Sequence, residues 1–208
     1  MDFSRVSLRF RRRRMAAFAR RMGITAGTSV LDIGGTPDVW DLVEVKPRVT
    51  LVNMPRAGEA MTAQWVAADG CALPFRDGAF DVVFSNSVIE HVGNIDRQRR
   101  FAAEVRRVGR AYWVQTPNRW FPVEQHLLTP LVHWLPQPWQ QRLVPRWNLW
   151  SVLVPARPDQ RQFYIGHYLR DVRLLGLRDL RVLFPDAQIL RERFCGWTKS
   201  WIATGGEG

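Results

Sequence analysis

The chain has 208 residues, 46% of them apolar, which suits one α/β domain with a sheet covered on both faces and leaves no room for a second full domain. The most apolar stretch, residues 125–141, is broken by Pro130, Pro136 and Pro138, which excludes a membrane-spanning helix there. A formal charge of +11 invites nucleic acid as a partner, but eight arginines against Asp2 in residues 1–24 carry most of it. Only Lys46 and Lys199 among the 30 basic residues are lysines, so nucleic acid is not the expected partner.

In chain order, residues 6–22 set Arg11 to Arg14 beside Met15, Phe18, Ala19 and Met22 at helical spacing, which predicts an amphipathic helix ended by Gly23. The segment has a basic character but no apolar h-region or small-residue cleavage site, so a secretory signal is not expected and a cytoplasmic location is. From residue 28 the pattern changes to short β-branched runs at 29–33, 49–52, 65–68, 80–84 and 111–115, separated by turns or helical stretches. That alternation predicts a parallel sheet with crossover helices. The clearest helix is 95–108, with Phe101, Ala102, Val105 and Val108 facing the sheet and its arginines facing water. Between residues 116 and 160 regularity is lost, and Trp120, Trp134, Trp139, Trp147 and Trp150 cluster among prolines, as expected for an insertion that serves as a lid or binding wall. A helix at 177–184 follows, then strands at 188–194 and 199–204 joined by Gly196-Trp197 as a closing hairpin, and a loose tail at 205–208. Cys71 and Cys195 match neither a disulfide framework nor a zinc pattern and read as packing residues.

Residues 30–36, VLDIGGT, form an apolar strand that runs into a glycine turn with Asp32 on its last stretch. In a doubly wound sheet such a turn lies at the carboxyl edge beside the switch point, where ligands bind and glycines let a backbone come close. The third glycine of a dinucleotide-binding G-x-G-x-x-G is missing. Residues 67–75, AADGCALPF, supply a second turn at this edge, and FDVVF at 80–84 exits through Ser85, Asn86 and Ser87, so three strand ends with polar residues converge.

The ordered series VLDIGG, AADGCALPFRDGAFDVVFSNSVIEHV and YWVQTPN resembles class I S-adenosylmethionine-dependent methyltransferases, especially the small single-domain ones that modify metabolites, quinones or glycans. The resemblance covers residues 28–118, and the closing RERFCGWTKSWIAT is similar to that group's final hairpin. It implies a Rossmann-like, doubly wound, mostly parallel seven-stranded sheet with a C-terminal antiparallel hairpin and a Trp/Pro-rich insertion after the fifth strand. The chain then divides into a basic N-terminal helix (1–24), a cofactor-binding core (28–116), a lid (117–165), and a closing helix and hairpin (166–204). It further implies S-adenosylmethionine as cofactor and S-adenosylhomocysteine as product. Asp32, Gly34 and Gly35 would surround the methionine half, with Asp32 near its amino group. Asp69 would accept from the adenine amino group beside the backbone of Gly70 and Cys71, Asn53 would face the ribose hydroxyls, and Asn86 would complete the set. Asn53 departs from the family's usual acid, and an amide oxygen accepts only one ribose bond comfortably. Thr36 replaces a usual glycine.

Methyl transfer is an in-line displacement, so the protein must align donor and acceptor and, for a hydroxyl, take up a proton. His91, His126 and Glu90 are the candidate catalytic residues. Glu90 and His91 could instead hold a divalent metal with Glu124 and His126, since ubiquinone-pathway O-methyltransferases and small-RNA ribose methyltransferases show a similar Glu-x-x-Glu-His run with metal. Ser87 stands where the first glutamate belongs, which removes one hard anionic ligand, so catalysis without metal is the expectation. His133 and His167 read as loop or packing residues. One of Trp120, Trp134 or Trp150 is expected to wall a pocket for an aromatic or apolar acceptor. The N-terminal arginines are expected to keep the capping helix soluble, with a peripheral grip on an anionic membrane or on a phosphorylated acceptor as the alternatives. The leading expectation is methylation of a small molecule, on oxygen rather than nitrogen. Its rivals are an RNA methyltransferase using the basic arm, which lacks an Asn-Pro-Pro-Tyr signature, and a non-catalytic binding protein that kept the fold, consistent with Asn53, Thr36 and Ser87.

Overall fold

A computed structural model of the chain describes residues 3–54, 65–154 and 157–206, with side chains from Leu8 onward. Helix α1 (Phe3–Arg21) precedes β1 (Ser29–Ile33), α2 (Pro37–Trp40), β2 (Arg48–Asn53), β3 (Trp65–Ala67) and β4 (Phe80–Asn86). Then come α3 (Ile95–Val108), β5 (Gly109–Pro117), and the insertion elements β6 (Val123–Glu124), β7 (Thr129–Pro130), α4 (Gln137–Leu143) and α5 (Leu149–Leu153). The chain closes with α6 (Pro158–Asp171), α7 (Leu177–Leu183), β8 (Gln188–Phe194) and β9 (Trp197–Gly206). Among the described residues the main sheet has seven strands in the order β3-β2-β1-β4-β5-β9-β8, parallel from β3 through β5 and antiparallel at β9 and β8. No helix among them is long and apolar enough to cross a membrane.

Side chains alternate across the sheet, so β1 feeds two cores. Val30 joins Met15, Phe18, Trp40, Phe84 and Trp113 on the α1/α2 side, whereas Leu31 and Ile33 join Phe101, Val105, Val114 and Leu180 on the α3/α7 side. Helix α3 has the predicted bounds and buried face, and Asn94 caps it by accepting from the Arg97 N–H at 3.0 Å. Phe101 is fully buried at the centre of that face. Phe101→Ala is therefore expected to cost about 3–5 kcal/mol, read as a lowered urea midpoint with an unchanged slope. Gly23, at φ +58°, ends the turn after α1 as expected.

Three sequence expectations need correction. The region expected to be irregular contains the β6/β7 hairpin, α4 and α5, and α6 runs unbroken through the expected lid boundary at residue 165. The closing hairpin turns at Cys195-Gly196, with φ of 47° and 81°, and Trp197 already pairs with Phe194. Gly205 and Gly206 are no tail but pair with Tyr112 and Ala111, while Glu207 and Gly208 lie outside the described residues.

Candidate active site

Strand order reverses between β1 and β4, and their carboxyl ends open the crevice where a doubly wound sheet binds ligands. At β1 the chain turns through Gly34, at φ +77°, whose N–H donates to Val52 O at 2.7 Å. A Cβ on Gly35 would collide with the Asp32 carboxylate, so the second glycine is required by close approach. Asp32 is fully buried. Its Oδ2 accepts from Trp40 Nε1 at 2.9 Å, while Oδ1 has no partner among the described residues. Burial pushes its pKa up to about 7, against the lowering by the Trp40 bond. An orphaned, buried carboxylate oxygen beside a glycine turn fits a cationic amine such as that of S-adenosylmethionine.

Asn53 Nδ2 donates to Gly35 O at 3.0 Å, a bond no aspartate could make, which accounts for the amide where the family usually has an acid. Its oxygen accepts no hydrogen bond among the described residues. Asp69 is less free than the resemblance implied. Arg97 Nη2 donates to both of its oxygens, at 3.0 and 2.8 Å, and the Cys71 N–H donates to Oδ1 at 2.9 Å. Partial burial raises the Asp69 pKa, but these bonds outweigh it and hold the carboxyl below its usual range. Gly70 sits tightly over Ile33 and Phe101, and Cys71 Sγ donates to Arg97 O at 3.3 Å; burial pushes that thiol up to about 11.

A cavity of about 150 Å³ lies above the turn, lined by Asp32, Gly34, Gly35, Thr36, Asn86 and the α1 residues Arg11 and Arg14 among others. That volume is below the roughly 300–1,000 Å³ typical of whole-ligand pockets, so it suits the methionine end alone. A second cavity of about 620 Å³ shares Arg11, Arg14 and Asn86 with it and extends to His91, His126, Gln125 and Lys199. Arg14 stands between the two. It donates to Asn86 Oδ1, is paired with Glu192 at 2.6 Å, and lies 3.4 Å from Gln115 Oε1. The sequence expectation for these arginines, solubility first with an anionic membrane or phosphorylated acceptor as alternatives, does not include lining the cofactor cavity. Their placement was legible in the spacing, because positions 11, 14, 15 and 18 share one helical face with the buried Met15 and Phe18.

The floor of the larger cavity carries a line of titratable groups. Glu124 Oε2 accepts the Leu127 N–H at 2.6 Å, and its Oε1 lies 2.7 Å from His126 Nδ1. His126 Nε2 is 3.0 Å from His91 Nε2, and the His91 ring stacks on His167 at 5.5 Å. Burial lowers the His126 pKa, but the Glu124 bond and the charges of Glu124 and Glu90 raise it further, for a net upward shift. Burial, with the His126 and His167 charges, pulls His91 down to about 4.

Glu90 does not reach the cavity. It is fully buried behind His126, accepts from Thr116 Oγ1 at 2.9 Å, and has its pKa raised chiefly by burial. Its Oε1 has no hydrogen-bond partner among the described residues and lies 4.0 Å from His126 Nε2. Of the four residues that could instead hold a metal, Glu90, His91, Glu124 and His126, the structure gathers Glu90, His91 and His126, with Glu124 spent on orienting His126.

The expected tryptophan wall is absent from the lining, where Phe10, Phe121 and Phe194 stand instead. Trp134 donates to Arg119 O, Trp150 stacks on Tyr164 at 4.2 Å, and Trp120 is 61% exposed. His133 is a packing residue bonded to Arg119 O, but His167, also read that way, sits against His91 and is held by Asp171 at 2.9 Å. Lys199, unmarked by any motif, is half-buried with Nζ 4.7 Å from the Phe10 ring centroid, and burial lowers its pKa.

Strand order, the glycine turn and the buried acid at the end of β1 define a protein of the class I methyltransferase fold. Residues 39–111 match the family described as "Methyltransferase domain". An uncharacterized methyltransferase of Mycobacterium sp. (strain JLS) is 39% identical over 74 residues, 32% of this chain and 29% of that protein. This chain spans about a third of the length of the curated relatives it matches. Among solved structures, a protein described as a putative Zn-dependent alcohol dehydrogenase from Rhodobacter sphaeroides is similar with a TM-score of 0.59 at 15% identity, over 92% of this chain and 87% of that one. A complex of the Haloferax volcanii Trm112 methyltransferase activator with a putative methyltransferase contains a chain similar at TM-score 0.52 and 13% identity, over 99% and 94%. Those structural likenesses establish the fold, and the matched segment is similar to the methyltransferase domain over residues 39–111.

Proposed function

We propose that the chain transfers a methyl group from S-adenosylmethionine to a hydroxyl oxygen of a small acceptor seated in the cavity of about 620 Å³, releasing S-adenosylhomocysteine. The observation that carries this reading is the line Glu124, His126, His91, which ends at that cavity, itself joined through Arg11, Arg14 and Asn86 to the cavity above the glycine turn. S-adenosylmethionine supplies an electrophilic methyl on a sulfonium sulfur. Asp32 holds the amino group, and Arg11, common to both cavities, meets its carboxylate, since Arg14 already pairs with Glu192. As the acceptor O–CH₃ bond forms and the S–CH₃ bond breaks, the hydroxyl proton must leave.

With Glu124 holding the His126 Nδ1–H, a neutral His126 presents a lone pair at Nε2 and accepts the His91 Nε2–H. His91 Nδ1 then takes the acceptor's proton while its Nε2–H passes to His126, where Glu124 stabilises the cation. Phe10, Phe121 and Phe194 suit a flat or apolar acceptor body. Lys199, with no carboxylate in the lining, suits a negatively charged group on it.

A second reading rests on the orphaned Glu90 Oε1: a divalent cation held by Glu90, His91 and His126, oriented by Glu124. Turnover that survives chelation rejects it, and loss restored by readded metal rejects the proton relay. The first experiment is calorimetry with S-adenosylhomocysteine, followed by product formation with hydroxybenzoates and with matched amines as acceptors. Binding and O-methylation are expected. Absence of binding would instead support a non-catalytic protein that kept the fold.

A further inference from the structure

We infer that the insertion is a docking surface for an anionic lipid membrane. It holds most of the large apolar side chains exposed among the described residues. Trp139 is 56% exposed, Trp147 59%, Val152 78% and Leu153 60%, with Trp120 and Trp134 as a tilted pair nearby in the chain at 6.3 Å. Trp139, Leu143 and Trp147 recur every four residues, so they form one edge of α4 and the turn that follows it. The same segment is fixed to the protein by its other side. Val144 is buried in a cluster with Leu127, Val132, Ile165 and Tyr168, and Asn148 is buried with its amide bonded to Val144 O and to the Ser151 N–H. The exposed edge is thus presented by an anchored scaffold.

Charge selects the occupant. From residue 117 to 165 the chain has five arginines, Arg119, Arg142, Arg146, Arg157 and Arg161, the first four exposed, against two carboxylates: Glu124, which is buried, and Asp159, which is exposed and pairs with Arg157 at 3.3 Å. An exposed surface of tryptophan, leucine, valine and arginine, whose one exposed acid is paired with Arg157, leaves Arg119, Arg142 and Arg146 as net positive charge and matches the boundary between lipid headgroups and acyl chains. There the indole N–H finds polar partners, the ring body is sheltered, and guanidinium groups meet phosphate. Helices of seven and five residues are too short to span a bilayer and lie along its surface.

The test uses the full chain with sedimented vesicles of phosphatidylcholine alone and of phosphatidylcholine mixed with phosphatidylglycerol. Preferential binding to the mixed vesicles, a blue shift of tryptophan emission and weakening by salt are expected. The W139S/W147S double variant is expected to lose about 10-fold or more in vesicle affinity, and R142Q/R146Q to lose the preference for phosphatidylglycerol, both keeping the wild-type melting profile. R12Q/R13Q, altered on the exposed arginines of α1, is expected to bind as wild type. No binding to either vesicle, or binding lost only in R12Q/R13Q, overturns the proposal. So does a concentration-dependent dimer that W139S/W147S abolishes, which would assign the edge to a second copy of the chain. S-adenosylhomocysteine affinity is indifferent to all these outcomes, so failure here is separable from failure of the methyl-transfer reading.

Discussion

Asp32→Asn is expected to abolish detectable S-adenosylhomocysteine binding while making the ligand-free protein more stable than wild type at pH 8. The carboxylate is buried with one oxygen bonded to Trp40 and the other unpartnered, and its pKa is about 7 in the folded chain against 3.8 for an ordinary aspartate. Between those values the folded state keeps a proton that the unfolded state has released. Stability therefore falls as pH rises through the window from about 4 to about 7. The shift corresponds to roughly 4 kcal/mol lost once both states are ionised, as an order of magnitude. Asparagine keeps the bond from Trp40 and carries no charge, so it avoids that loss. It also cannot neutralise the ammonium of the ligand. Urea unfolding at pH 5 and pH 8 with calorimetry at both tests the pair of effects: a variant more stable by a small margin at pH 5 and by a larger one at pH 8, and binding by wild type only. A variant that binds normally would remove Asp32 from the site. Wild-type stability that does not decline between pH 5 and pH 8 would mean the buried charge is met by a partner.

The parts of this site that could be read from sequence are those fixed by local backbone geometry. Residues 30–36 reveal a strand and a turn because β-branched residues meet two glycines, and Asp32 follows by adjacency. Helix α3 shows its buried face through spacing alone, and its structure matches. The remaining features depend on contacts between distant segments. Asp69 carries no local sign that Arg97, 28 positions on, will occupy its oxygens. His167 is invisible as a neighbour of His91 until α6 is known to exist, and α6 is hard to foresee because its sequence, PDQRQFYIGHYLRD, mixes outward Phe163 with a central glycine and few apolar repeats. The tryptophans misled for a related reason. Composition reports that a segment is aromatic, but not whether its rings turn toward the cavity or toward solvent, and here Trp139 and Trp147 turn outward while phenylalanines from three other places supply the wall.

Glu124→Gln should change both the height and the position of the pH profile, which separates a proton relay from simple packing. In the relay the receiving form has His126 neutral, so activity is lost as pH falls through the pKa of the His91/His126 pair. Glu124, bonded to Nδ1 at 2.7 Å, and Glu90 raise the His126 value above the usual 6.5, and the acid limb of kcat in the wild type is expected above that pH. A glutamine amide keeps an oxygen for the Nδ1–H but no charge, so the limb moves to lower pH. At the same time the cation formed on His126 loses its counter-ion, and the plateau kcat is expected to fall by about 10²-fold. Cofactor affinity stays at the wild-type value because neither residue touches the smaller cavity. His91→Ala removes the group that meets the acceptor and is expected to lose at least as much rate, without the downward move of the limb. A Glu124→Gln enzyme with a lower plateau and an unmoved limb would show that the carboxylate only shapes the loop through its bond to the Leu127 N–H. A limb that moves while the plateau holds would leave the proton uptake to a group other than this pair.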